Sequence, residues 1–208
     1  MKIKLKCIYF AGVLGVFVGV ATPCWGTSVL QLSIMPEVQL IAPDESVCGL
    51  RLNLPYGVNE SVTGIDLGFF SQTSKDAAAL QISVFGNIVE QNADGIQIAT
   101  VNAVGNAMTG FQIGLLYNTA NKFKGLSISG GANYYVEEGE GIMIAVLGNY
   151  APVLKGLQVG LVNAPAYATG LQIGLVNWTK NMRGLQIGII NYIEEGALPF
   201  MLGLNANF

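Results

Sequence analysis

One short unit recurs along the chain, and self-similarity at a short fixed period forces every copy into the same local structure. GLQVGLVN begins at Gly156, GLQIGLVN at Gly170 and GLQIGIIN at Gly184. Looser copies begin at Gly49, Gly64, Ala79, Gly95, Gly110, Gly125 and Gly141, so successive starts lie 14 to 16 residues apart. Two flanking segments, VLQLSI from Val29 and FMLGLNANF from Phe200, alternate in a related way, which makes twelve candidate strands.

With the first residue of each copy as position 0, positions 1, 3 and 5 are large and apolar in most copies, as in Leu171, Ile173 and Leu175. Position 2 forms a polar row: Arg51, Asp66, Gln81, Gln97, Gln112, Ser127, Gln158, Gln172 and Gln186, with Met143 the exception. Position 4 is small except at Asn53. A period of two is the signature of a β-strand with one aliphatic face and one amide face; a helix would scatter these positions around its circumference. The intervening segments, such as QNAD, TANK, EEGE and TKNM, are turn-forming. The expectation is a single all-β repeat domain over residues 27–208.

Composition narrows the function. Histidine is absent, which removes Ser-His-Asp and Cys-His catalysis and histidine-ligated metals. The net charge is −3, so nucleic acid is not an expected partner. No nucleophile–base pair and no metal constellation is visible, so the expectation is a non-enzymatic protein without a cofactor. Glu137, Glu138 and Glu140 lack ligand-loop spacing and read as a solvated turn. The recurrent glycines precede no helix and are structural rather than phosphate-cradling.

Residues 1–26 read as a secretory signal: Lys2, Lys4 and Lys6, an apolar run from Cys7 to Val20, then a small-residue exit. That run is short for a spanning helix of about 20 residues. Removing the segment leaves seven basic and thirteen acidic residues, and leaves Cys48 without a second cysteine for an internal disulfide.

Two architectures fit the alternation. The first is an up-and-down antiparallel outer-membrane-type β-barrel of about 12 short strands, with Leu and Ile toward lipid and the amide row toward the lumen. The ending at Phe208 resembles the C-terminal strand of such barrels, and Tyr117, Tyr134, Tyr150, Trp178 and Tyr192 stand where an interfacial girdle would. Basic residues gather on alternate turns (Lys122, Lys124, Lys155, Lys180, Arg183), and the acidic clusters (Glu137, Glu138, Glu140, Glu194, Glu195) on the others, whose only basic residue is Lys75, as two distinct membrane sides would require. Against it, three apolar residues per strand cover less than the ~25 Å band of a barrel. The second architecture is a parallel β-solenoid of 14–16-residue coils, with the aliphatic face as its core and the Gln and Asn columns stacked as amide ladders.

The barrel implies a small passive pore lined by Arg51, Asp66, Gln81, Gln97, Gln112, Gln158, Gln172 and Gln186, with the lipid bilayer and the outer-membrane assembly machinery as partners. The solenoid implies a secreted or surface-attached protein used for adhesion or self-association. The neighbouring position-2 charges Arg51 and Asp66 are expected to pair, since pairing is how charges are tolerated away from bulk water.

From about residue 28 to 208, and most closely over Gly156–Asn191, the repeats resemble bacterial surface-repeat proteins built from tandem GLQIGLVN-type units. The resemblance implies a location at the bacterial outer membrane or cell surface. It carries no activity and no catalytic residues.

Overall fold

The computed structural model describes residues 28–208; the expected signal segment lies outside them. Every regular element is a strand. In chain order these are β1 (Ser28–Met35), β2 (Val38–Gln39), β3 (Val47–Asn59), β4 (Val62–Thr73), β5 (Ala77–Val89), β6 (Ala93–Val104), β7 (Ala107–Ser129) and β8 (Ala132–Ala145). They continue as β9 (Gly148–Tyr150), β10 (Val153–Val159), β11 (Val162–Asn163), β12 (Tyr167–Ile173), β13 (Val176–Thr179), β14 (Asn181–Ile193) and β15 (Phe200–Asn207).

Consecutive copies run parallel and in register. Gly156, Leu157 and Gln158 of β10 face Gly170, Leu171 and Gln172 of β12, which in turn face Gly184, Leu185 and Gln186 of β14. Arg51, Asp66, Gln81, Gln97 and Gln112 are matched in the same way across β3 to β7. A barrel of this connectivity needs antiparallel neighbours. The chain is therefore a β-solenoid of about 11 turns, and the barrel expectation is corrected. At about 4.8 Å per coil the stack is roughly 50 Å long.

Each coil has two walls. One carries position 0 to position 3; the other carries the segment around the recurrent asparagine, such as Asn163, Asn177 and Asn191, also in register from coil to coil. A bend at positions 4–6 joins them on one side, and the charged turn joins them on the other. Small residues at position 4 make the bend possible. A Cβ on Gly174 would lie 2.7 Å from Nδ2 of Asn163 and 3.0 Å from Oδ1 of Asn177.

The sidedness is the second correction. The aliphatic face expected inside a solenoid points outward, and the amide row points inward. Gln112, Gln158, Gln172 and Gln186 are fully buried, while Leu115 is 68% exposed and Ile189 62%. The physical reason is that stacked coils offer most buried amides a partner at the coil spacing, so their burial leaves little unsatisfied. An apolar core also exists, beside the charged turn. It contains Val89, Val104, Met108, Phe123, Leu154, Met182 and Ile193.

Both ends are capped, as a stack of parallel strands requires. At the start, β1 pairs parallel with β3 and antiparallel with β2. Gln31 extends the interior row, its Oε1 accepting from the Ile41 N–H at 2.8 Å. At the finish, β15 lies antiparallel on β14 and places Asn205 opposite Gln186. Cys48 is also corrected: it is disulfide-bonded, and the other two cysteines, Cys7 and Cys24, lie outside the described residues.

Candidate functional site

The eight residues expected to line a lumen form one interior column, and they close it. Nε2 of Gln97 donates to Oε1 of Gln81 at 2.9 Å, and Nε2 of Gln112 donates to Oε1 of Gln97 at 2.9 Å. Further along, Gln186 donates to Gln172 at 2.9 Å and Gln172 to Gln158 at 3.2 Å. Arg51 and Asp66 make a fully buried bidentate pair, Nε to Oδ1 at 2.9 Å and Nη2 to Oδ2 at 2.5 Å. Asp66 also accepts from Asn53, Ser71 and Gln81, each at 2.9 Å. This pair heads the amide ladder and does not constrict a pore.

The asparagines form a second ladder of opposite sense. Asn102 donates forward to Asn118, Asn149 to Asn163 and Asn163 to Asn177, each at 2.9 Å, whereas the glutamines donate backward. From Asn87 to Asn177 the asparagine Nδ2 also reaches the position-3 carbonyl of the next coil, just before its bend, as from Asn149 to Val159 O and from Asn163 to Ile173 O, both at 2.9 Å. The Asn column is visible in the sequence; its grip on the position-3 carbonyls is not, because it depends on how the two walls face each other.

The glutamine ladder breaks where Ser127 and Met143 occupy position 2. Tyr135 repairs half of the break. Its hydroxyl donates toward Ser127 Oγ at 2.7 Å and lies 3.0 Å from Gln112 Oε1, while its ring stacks on Phe123 with centroids 4.6 Å apart. Burial pushes the Tyr135 phenol well above its ordinary range, only partly opposed by the Ser127 hydrogen bond. At the other half, Gln158 Nε2 has no partner. Sequence reasoning missed Tyr135 because it is the single aromatic in an otherwise aliphatic or small interior column.

The exterior divides sharply. From Gly49 onward, the stretch between position 0 and the residue after the asparagine carries no charge except the buried Arg51 and Asp66. The bend forms an apolar ridge: Val84–Phe85, Leu115–Leu116, Val146–Leu147, Leu161–Val162, Leu175–Val176 and Ile189–Ile190. The remaining charges of these coils lie on the opposite edge, where the lysines pair with carboxylates of neighbouring coils. Lys122 meets Glu137 at 3.4 Å, Lys124 meets Glu140 at 3.0 Å, Lys155 meets Glu138 at 2.6 Å and Lys180 meets Glu195 at 3.7 Å. The alternation of basic and acidic turns therefore reflects pairing along one edge, not two sides of a membrane. Tyr134, Tyr150, Trp178 and Tyr192 follow the asparagines on one wall, between ridge and charged edge, and Tyr134 stacks on Tyr150 at 5.0 Å.

Glu137, Glu138 and Glu140 are taken up by lysines, and no group of three or more potential metal-binding side chains occurs among the described residues. Comparisons with protein-family models, with curated proteins and with solved structures return no match.

Proposed function

We propose that the protein is an exported, non-enzymatic β-solenoid of the bacterial cell surface that acts by adhesion or self-association through its apolar ridge. The observation that carries this reading is the recurrence of exposed apolar side chains along the bend, in six of the eight coils from Val84 to Ile190, with Thr100 and Gly130–Gly131 as the gaps. Eight coils at about 4.8 Å give a ridge of roughly 38 Å; with one flank of about 13 Å and a shorter one of about 7 Å beyond it, the surface is on the order of 750 Å². The largest apolar patch of an ordinary soluble monomer is roughly 300–600 Å². Patches beyond that size mark contact surfaces. A filled interior of paired amides gives a pore no path, which favours a surface role over transport.

The test compares the purified protein with the variant Leu115→Gln, Leu161→Gln, Leu175→Gln, whose three substitutions are all on the exposed ridge. The parent is expected to be retained on an octyl resin or to sediment as an oligomer, and the variant to do neither. A parent that stays monomeric and passes the resin unretarded contradicts the reading.

A further inference from the structure

We infer that the occupant of the ridge is a single lipid leaflet: the solenoid lies along a membrane with its bend sunk among acyl chains and its charged edge in water. This rests on the adhesion reading above and names its partner.

Four observations point to lipid. First, depth. From position 1 to position 5 the apolar flank runs four residues, about 13 Å of extended chain. Half of a bilayer's ~30 Å hydrocarbon core is about 15 Å. The dimension that is too short for a spanning barrel matches one leaflet. Second, shape. The ridge is convex and aliphatic on both flanks, as Ile113 and Leu116 on either side of Leu115 illustrate. A flat partner, including a second copy, covers one flank; a fluid covers both.

Third, backbone N–H groups at the bend are paired from coil to coil. The N–H of Leu147 donates to Gly131 O at 2.9 Å, that of Leu175 to Leu161 O at 3.0 Å and that of Ile190 to Leu175 O at 2.9 Å. On the wall just before the bend, the asparagine ladder takes up the position-3 carbonyls from inside, as from Asn177 to Ile187 O at 2.9 Å. Irregular backbone is tolerated in hydrocarbon only when its polar groups are satisfied internally. Fourth, the aromatics lie in the right place. Tyr134, Tyr150 and Trp178 stand between ridge and charges, at the level where amphipathic rings settle at a membrane interface.

The charged edge is acidic on balance, so attraction to anionic headgroups is not the driving force; burial of aliphatic surface is. The protein should therefore bind neutral phosphatidylcholine vesicles, with little response to salt.

The experiment is flotation with phosphatidylcholine vesicles followed by fluorescence quenching with lipids brominated at defined acyl depths. The parent is expected to float. The Leu115→Gln, Leu161→Gln, Leu175→Gln variant, with an unchanged circular dichroism spectrum, is expected to lose at least about tenfold in bound fraction. Three probes report orientation: Trp178 itself, and Leu175→Trp or Lys180→Trp in a Trp178→Phe background. Quenching should be deepest for Leu175→Trp, shallow for Trp178 and negligible for Lys180→Trp. Absence of flotation while octyl-resin retention persists overturns the lipid assignment and leaves adhesion standing. Quenching in the reverse order, equal quenching of all three, or binding that rises with phosphatidylglycerol and falls with salt also overturns it.

Discussion

Gln158 lies in register with Met143 one coil back, and its buried Nε2 finds no acceptor there. Elsewhere in the column the same atom meets the Oε1 of a glutamine, as Gln97 meets Gln81. The defect is one missing oxygen inside the ladder, distinct from the unpartnered Gln186 Oε1 at its far end. Met143→Gln keeps the side-chain length and supplies that oxygen. It should stabilise the protein by about 1 kcal/mol in urea unfolding, the net worth of one buried hydrogen bond. Met143→Leu, similar in volume but without an acceptor, should show no gain; equal effects of the two would mean that packing, not the orphaned amide, governs the position.

Arg51 and Asp66 occupy the same column as a charged pair, and their sensitivity should follow from burial. Asp66→Asn leaves a guanidinium at 0% exposure without its counter-charge and should cost about 3–5 kcal/mol. The double variant Arg51→Gln, Asp66→Gln rewrites this end of the column in the form used by Gln81, Gln97 and Gln112. It should recover most of that loss in the same unfolding measurement. A double variant as unstable as Asp66→Asn would show that the pair does something a ladder of neutral amides does not.

Tyr135 makes the fold sensitive to alkali. Its folded-state pKa is raised by burial, so the native protein holds the proton after the unfolded chain has released it near pH 10. Stability from this group is complete below pH 10 and declines above it, by about 1.4 kcal/mol per pH unit. Tyr135→Phe should start less stable, since Ser127 and Gln112 lose their hydroxyl partner, and should then decline less steeply between pH 10 and 11. Parallel slopes for the two proteins would exclude Tyr135 as the source.

How much of this was legible follows from the two symmetries of a strand repeat. The period of two at Leu171, Gln172 and Ile173 fixes strand and face, and the recurrence of Gln158, Gln172 and Gln186 fixes the register. Neither says which face is inside. Burying leucine is the ordinary rule, and it loses here because a parallel stack gives most buried Gln and Asn side chains a partner at the coil spacing. Strand direction was hidden for a related reason. Lys180 and Glu195 sit on successive turns with opposite charge, which reads equally as two sides of a membrane or as one ion-paired edge. Only the parallel register separates the two. Tyr135 and the unpartnered Gln158 arise from departures at Ser127 and Met143, and a consensus reading passes over them.

The glycine at position 0 gives the last prediction. Gly170 has φ of +135°, a region that residues with a side chain rarely adopt, and a Cβ there would press against the carbonyl oxygen of Gly156 one coil back. Gly184 stands in the same relation to Gly170, so a shift of the Gly170 backbone is resisted from both neighbouring coils. Gly170→Ala should therefore cost more than the 1–3 kcal/mol or so of dihedral strain alone and lower the melting temperature sharply. Gly203 serves as the control. It also has positive φ, at +80°, but nothing lies within 4 Å of a Cβ added there. Gly203→Ala should carry only the strain. Equal losses at the two sites would mean that coil-to-coil crowding contributes nothing, and that the recurrent glycine is kept for its dihedral angle and not for the close approach of neighbouring coils.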